Sequence, residues 1–306
     1  MKRALIATLY NEADNVSRWW DCLRRQTELP EEIVIVDGGS TDGTWEKLSE
    51  LARHAPVPVK LEQRRCNIAA GRNRAIALTD AEIIAATDAG SFPEPDWFRE
   101  ITRPLLEDAG VDCTGGINIA ADENAFQNYL AQFEPRSDVE ADQISGNREV
   151  HPSSRNTAFR RTAWTDVGGY PEWLTLAAED ALFTQELHLV GKKIIRNPKA
   201  VVRWSVRDSA ATYLKLLYRN AYGWAEAQLD VAPFFRSGLV AFFPPLLLLS
   251  RHRFRHLKFR YLKNAASARG WLAGYFHGQK PPAGWKRVRG ILLSPEAQNT
   301  LAKIKK

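Results

Sequence analysis

Apolar and polar positions along the first hundred residues fall into blocks that switch period. Ala4–Leu9 is a short apolar run ending in Tyr10-Asn11-Glu12, and Asn15–Gln26 then sets Val16, Trp19, Trp20 and Leu23 at helical spacing. A second run, Ile33–Val36, is closed by Asp37-Gly38-Gly39-Ser40-Thr41-Asp42-Gly43-Thr44. A helix over Trp45–Arg53, a strand over Val57–Gln63 and a helix over Ala69–Leu78 lead to a third run, Ile83–Thr87. Asp88-Ala89-Gly90-Ser91 cannot continue that strand, and Pro93 and Pro95 delay the next helix until Trp97–Leu106. Alternation at this spacing predicts an α/β fold, a mostly parallel central sheet with helices on both faces. Ligands of such sheets bind at the carboxyl ends of the strands, where Asn11, Glu12, Asp37 and Asp88 fall.

The second half continues with a strand over Asp112–Ile119, a short helix over Asn124–Phe133 and a polar, irregular stretch, Pro135–Pro152. A loop of that length is either an active-site flap or a surface insertion. Arg155–Arg161 reads as a strand edge leading into a helix, Glu179-Asp180 opens a helix over Ala181–Val190, and Asp208–Gln228 is a long helix. Beyond Val231 the pattern changes: Phe234–Leu249 is apolar and Arg251–Arg260 interleaves basic with aromatic residues. The expected organisation is therefore a catalytic-type domain over 1–230, in halves 1–110 and 111–230, followed by a helical, basic and apolar region over 231–306.

With 306 residues, 44% of them hydrophobic, the chain can bury a large core. The net charge of +6 is too modest to imply a nucleic-acid partner. Cys22, Cys66 and Cys113 lack any metal-site or disulfide spacing and read as reduced thiols of a cytoplasmic protein. Met1-Lys2-Arg3 runs into a strand without a cleavage site, and Leu239–Leu249 is too short and Pro-interrupted to span a membrane. A basic and apolar C-terminal region suits either the surface of an anionic membrane or packing on the core.

No G-x-G-x-x-G follows the first strand, and no G-x-x-x-x-G-K-[ST] occurs. Three acid or amide turns at one sheet edge nevertheless make a nucleotide-sized site: carboxylates accept from hydroxyls and base N–H groups, and guanidinium groups offset phosphate charge. The motifs then become specific. V-D-G-G-S-T-D-G-T (Val36–Thr44), A-A-G-R-N-R-A (Ala69–Ala75), T-D-A-G-S-F-P-E-P-D-W-F (Thr87–Phe98) and S-R-N-T-A-F-R-R-T-A-W (Ser154–Trp164) come first. V-G-G-Y-P-E-W (Val167–Trp173), A-E-D-A-L-F (Ala178–Phe183) and N-P-K-A-V-V (Asn197–Val202) follow. In that order, over roughly residues 3–205, the chain resembles family 2 glycosyltransferases of the GT-A fold.

The resemblance implies an inverting transferase that takes a UDP-, GDP- or TDP-sugar in its first half and a glycan or lipid-linked acceptor in its second. Asn11 and Glu12 would lie beside the nucleoside, Asp37 would bond base or ribose, and Arg72 would lie near base or diphosphate. Asp88, with Ala89, would meet the diphosphate and hold Mn²⁺ or Mg²⁺. Here the chain departs from the family: Gly90 replaces the second acid of the D-x-D motif, and Trp204 stands where a metal-binding His is common. Either Asp88 alone holds a weak cation, or arginines such as Arg72, Arg155, Arg203 or Arg207 stabilise the leaving diphosphate. Asp180 matches the catalytic base, and Glu179 orients the site or contacts acceptor. The Q-x-x-R-W of processive relatives is absent, so the resemblance implies single transfer. It also implies a cytoplasmic enzyme, free or peripheral on the inner membrane face. Two rivals stand beside it. A nucleotidyltransferase would want a basic loop after the first strand, which Leu9–Asp14 lacks. A non-catalytic sugar-nucleotide-binding scaffold is motivated by Gly90 and Trp204.

Overall fold

The computed structural model describes residues 1–132, 134–145, 149–205, 208–229, 232–244 and 256–304. The first half runs β1 (Arg3–Leu9), α1 (Val16–Arg24), β2 (Glu32–Asp37), α2 (Thr44–Arg53), β3 (Val59–Gln63), α3 (Ile68–Ala77), β4 (Ile83–Ala86), β5 (Ser91–Pro93) and α4 (Trp97–Glu107). The second runs β6 (Cys113–Ala120), α5 (Ala125–Leu130), α6 (Asp138–Ser145), β7 (Thr157–Arg160), α7 (Arg161–Asp166), α8 (Glu179–Leu189), β8 (Ile194–Trp204) and α9 (Ala210–Glu226). It closes with α10 (Ala232–Phe242), α11 (Leu257–His277), β9 (Lys286–Val288), β10 (Ile291–Leu293) and α12 (Pro295–Ile304).

Eight strands form one sheet in the order β3-β2-β1-β4-β7-β6-β8-β5. β3, β2, β1 and β4 are mutually parallel, as are β6 and β8; β7 runs antiparallel between β4 and β6, and β5 antiparallel along β8. Alternate residues of β1 face opposite layers, as the strand period requires. Leu5, Ala7 and Leu9 pack with Trp19, Trp20 and Leu48 of α1 and α2 and with Trp97, Phe98 and Ile101 of α4. Ala4 and Ile6 pack on the other face with Ala75 and Ile76 of α3 and Phe183 and Leu187 of α8. The fully apolar strands Leu5–Ile6 and Val34–Val36 are thus explained by burial on both sides.

The α/β sheet expected from the alternation is present, with helices at the C-terminus. Three local expectations are corrected. The stretch Pro135–Pro152 contains α6, whose first turn carries Asp138 and Glu140, acids favoured at a helix start. Its Asp138 accepts from the Asn118 backbone at 3.2 Å and side chain at 3.0 Å, so it is tethered to β6. The chain turns at Asp88–Gly90 as expected, with the Ser91 N–H donating to the Asp88 carbonyl at 2.9 Å, but it then adds a short strand that was not expected, β5, because Ser91–Pro93 pair along Val202–Trp204. The C-terminal region is not wholly helical: β9 and β10 form a hairpin whose Leu293 joins the core of Phe183 and Leu187. The end of the apolar run and the first half of the basic run, residues 245–255, lie outside the described residues. In the rest of the basic stretch, Phe259 is buried against Phe126, Tyr129 and Tyr213, and Arg260 is buried too.

Candidate active site

The edge formed by the carboxyl ends of β1, β2 and β4 is laced together by its own polar residues. Thr41 donates its N–H to Asn11 Oδ1 at 2.9 Å, and the Asn11 N–H reaches Ser40 Oγ at 2.8 Å. Asn11 adopts a φ of 54°, in the left-handed region that asparagine tolerates better than most residues. Glu12 donates its N–H to Thr44 Oγ1 at 2.8 Å and accepts on its carbonyl the first N–H groups of α1. Asp37 is fully buried: Oδ2 accepts from Ser40 N at 2.9 Å, Gly39 N at 3.2 Å and Gln63 Nε2 at 2.9 Å, while Oδ1 accepts from Ser40 Oγ. It therefore sets the shape of the Gly38–Ser40 turn. A base or ribose would reach its remaining Oδ1 lone pair only after that turn shifts.

Helix α3 explains its motif residue by residue. Asn67 caps it, accepting from Ala70 N at 2.9 Å, and donates to the carbonyls of Glu172 and Leu174. Gly71 lies where a Cβ would meet Thr8 Cγ2 at 2.4 Å, so α3 can approach β1 only through a glycine here. That approach carries Arg72 beneath the sheet edge. Its guanidinium is buried, with Nη2 on Asp88 Oδ1 at 2.9 Å and Nη1 in contact with Glu179 Oε1. Asn73 accepts from Trp164 Nε1 and Tyr170 N at 2.9 Å each, fixing the segment ahead of α8.

Arg72 thus joins the strand-end acid Asp88 to the helix-start pair Glu179-Asp180. Burial pushes the Glu179 carboxyl up, the adjacent Asp180 adds to this and Arg72 opposes it. The carboxylates around Arg72 hold its guanidinium charged, against the desolvation that would otherwise release its proton. Asp180 remains partly exposed. Its Oδ2 accepts from Ser154 N at 3.1 Å and Ser154 Oγ at 3.2 Å, and Oδ1 accepts from Ala181 N at 2.8 Å. Ala178, directly before the pair, has a φ of 74°, a strained conformation for alanine. It is held there by α9, where Gly223 lies so close to the Ala177 carbonyl that a Cβ would sit 2.3 Å away.

The sequence reading did not single out Ser154 or Asn156. Asn156 is buried, accepts from Trp97 Nε1 at 2.8 Å and donates to the carbonyls of Ile117 and Ala200. It anchors the strand edge on which Ser154 meets Asp180 and Arg155 lies with its guanidinium carbon 3.9 Å from the Trp204 ring centroid. Their signal was the run Ser-Ser-Arg-Asn ahead of a buried strand. Trp204 pairs with Ser91, and Ser205 N donates to the Gly90 carbonyl at 3.2 Å, so Trp204 borders the Asp88–Ser91 turn. Ala89 is buried in that turn. Arg203, one residue away on the strand, projects oppositely and bonds Glu94 Oε1 at 2.6 Å. Arg207 lies outside the described residues.

A divalent cation on a diphosphate asks for oxygen or imidazole donors. Asp88 already gives Oδ1 to Arg72, Gly90 supplies no side chain, and Trp204 offers only an N–H donor behind a stacked guanidinium. This donor set does not fit a resident metal.

A sheet-edge acid is thus linked through a buried arginine to an acidic pair at a helix start. The chain belongs to the family whose model matches residues 5–168, glycosyl transferase family 2, and is a glycosyltransferase. It is 25% identical over 213 residues to the O-antigen chain rhamnosyltransferase RfbN of Salmonella typhimurium, covering 67% of each chain. It is also 25% identical over 174 residues to the glycosyltransferase AglE of Haloferax volcanii, covering 56% of each. In fold it is similar to the mannosyltransferase PcManGT from Pyrobaculum calidifontis in complex with GDP-Man and Mn²⁺. That likeness has a TM-score of 0.66 at 19% identity over 91% of this chain and 88% of that one. S. aureus TarS 1–349 in complex with UDP-GlcNAc gives 0.54 at 16% identity over 95% and 96%.

Proposed function

We propose that this glycosyltransferase moves one sugar, with inversion, from a nucleoside-diphosphate donor to a hydroxyl of a growing cell-envelope glycan. The observation that carries this reading is the Asp88–Arg72–Glu179 bridge, which couples the donor edge of the sheet to the helix start bearing Asp180. The Asn11–Glu12 and Gly38–Ser40 turns take the nucleoside, and the Asp88–Gly90 turn takes the diphosphate. Asp180, held by Ser154, accepts the acceptor's hydroxyl proton as its oxygen attacks the anomeric carbon; the bond to the diphosphate breaks with its electrons on the leaving phosphate oxygen. Glu179, buried and paired, orients Arg72 and the helix start. The relatives' named activities, O-antigen chain synthesis among them, support a polymeric envelope acceptor.

Asp180→Asn removes the base and keeps the Ser154 contacts, so transfer should fall at least a thousandfold while nucleotide affinity stays within about twofold. Comparable turnover in that variant would remove Asp180 from the base role. The anomeric configuration of the product, read by NMR, tests inversion: retention would overturn it. The scaffold reading, favoured by Gly90 and Trp204, requires donor binding with neither transfer nor slow donor hydrolysis.

A lipid-carried acceptor fits a protein at a membrane surface. No helix among the described residues is long and apolar enough to cross a membrane, but Phe242 and Phe243, at the end of α10, are 81% and 62% exposed. Such residues insert readily between headgroups. Phe242→Ser with Phe243→Ser should reduce flotation with anionic liposomes; unchanged flotation would sink the membrane contact.

A further inference from the structure

Helix α8 begins with the Glu179-Asp180 pair and carries His188 in its last turn. The segment 149–154 runs along it, placing Ser154 on Asp180 at one end and His151 beside His188 at the other. The two imidazole rings are half-buried, with centroids 5.1 Å apart at an interplanar angle of 65°. His188 Nε2 donates to the Val150 carbonyl at 2.9 Å, and Glu149 Oε2 lies 3.5 Å from His151 Nε2. One ligand atom from each of Glu149, His151 and His188 lies within 4.8 Å of the other two. Burial, with His188 adding to it, holds the His151 pKa below its ordinary value, which keeps the imidazole in the neutral form that binds metal ions. Arg196, whose charge acts on His151 in the same direction, is itself paired with Asp142 at 2.7 Å.

We propose that Glu149, His151 and His188 form a zinc site that clamps the segment ahead of Ser154 onto the end of α8. Two imidazoles and one carboxylate suit Zn²⁺, whereas Mg²⁺ and Ca²⁺ call for shells of oxygen. Three protein donors leave the fourth tetrahedral position to water. All three side chains line a cavity of about 1290 Å³, through which the ion and its water can enter. In a tetrahedral shell such donors stand about 3.4 Å apart, so small side-chain rotations close the site. A carboxylate carries two oxygens, and Glu149 has to give the ion only one of them. On His188 the ion takes the place of the proton now directed at Val150, and the imidazole carries its proton on Nδ1 instead. The same segment then holds α8 at both ends, through Ser154 at Asp180 and through the ion at His188. That fixes the hydroxyl and N–H that Ser154 presents to the proposed base.

Calorimetric titration of the full chain with zinc chloride, after EDTA treatment and dialysis, tests the site without any sugar donor. One Zn²⁺ per chain should bind and raise the melting temperature, while magnesium chloride should do neither. His151→Ala and His188→Ala should each weaken binding at least tenfold, and Glu149→Gln should weaken it less. Asp88→Asn should bind as wild type. Zn²⁺ should also slow amide hydrogen exchange over residues 150–154 in the wild type and leave it unchanged in His188→Ala. Melting curves in EDTA check that each variant folds. Should a histidine variant fail to fold, the Glu149→Gln titration and wild-type exchange decide the matter. No binding of Zn²⁺, or binding that both histidine variants keep, would overturn the site. Loss of binding in Asp88→Asn would move the ion to the diphosphate turn and overturn it equally. Binding that leaves wild-type exchange over 150–154 unchanged would overturn the clamp.

Discussion

A single side chain, Arg72, does two jobs that are hard to separate by eye and simple to separate by substitution. It is a cation closed in protein with two carboxylates on it, so its loss leaves buried Glu179 and partly exposed Asp88 without their shared countercharge. Arg72→Met should cost about 3–5 kcal/mol in urea unfolding, the usual penalty for breaking a buried ion pair. Converting Glu179 to Gln in the same chain should recover part of that loss, because one orphaned charge disappears. Additive losses in the double variant would mean that the two residues are not energetically linked. Sequence carried Arg72 as a donor-side residue, on the strength of the A-A-G-R-N-R-A motif. Its tie to Glu179 was not legible, because 107 residues separate them and no periodicity links them. Asp37 repeats the lesson: the motif names the residue, while only the fold shows its carboxylate spent on the Gly39 and Ser40 N–H groups.

At the scale of elements, the strands and helices of the first half were legible because each carries its own periodicity and a turn that ends it. The missing piece, β5, is three residues long and is made by β8, far along the chain, so nothing local announces it. Helix α11 shows the opposite case, a helix whose position is written in its glycines. Gly270 and Gly274 lie one turn apart, and a Cβ at either would sit 2.2 Å from the carbonyl oxygen of Tyr218 or Tyr222 on α9. The backbones of α9 and α11 therefore meet with no side chain between them. Gly274→Ala should push them apart at a cost of about 1–3 kcal/mol, the range for overpacking. Gly238 in α10 has no neighbour among the described residues within 4 Å of its absent Cβ, so Gly238→Ala should instead stabilise by about 1 kcal/mol through helix propensity. Thermal melts of the two variants should move in opposite directions, and shifts of the same sign would remove the contrast.

Across the whole molecule, the C-terminal segment returns to the transferase core through one acid that the motifs did not cover. Glu186 lies on α8, two turns beyond Asp180, and is fully buried. Its Oε1 accepts from Ser294 N at 2.6 Å, while Oε2 meets no donor among the described residues. Ser294 Oγ in turn donates to the Val167 carbonyl at 2.6 Å, so α7, α8 and the start of α12 share one buried polar knot. Burial pushes the Glu186 carboxyl up to about 8 from its ordinary 4.5. Between those values the folded protein keeps a proton that the unfolded chain has released, so stability falls as pH rises. The contribution is fully present below pH 4.5, erodes through the neutral range and levels off above about pH 8. Glu186→Gln removes the titrating group but keeps an acceptor for Ser294. The variant should match the wild type in melting temperature near pH 5 and exceed it increasingly towards pH 8. Parallel melting curves would mean that Glu186 stays ionised, its charge met by some other group. The divergent outcome would place a proton-linked joint at one end of the helix whose other end carries the proposed base.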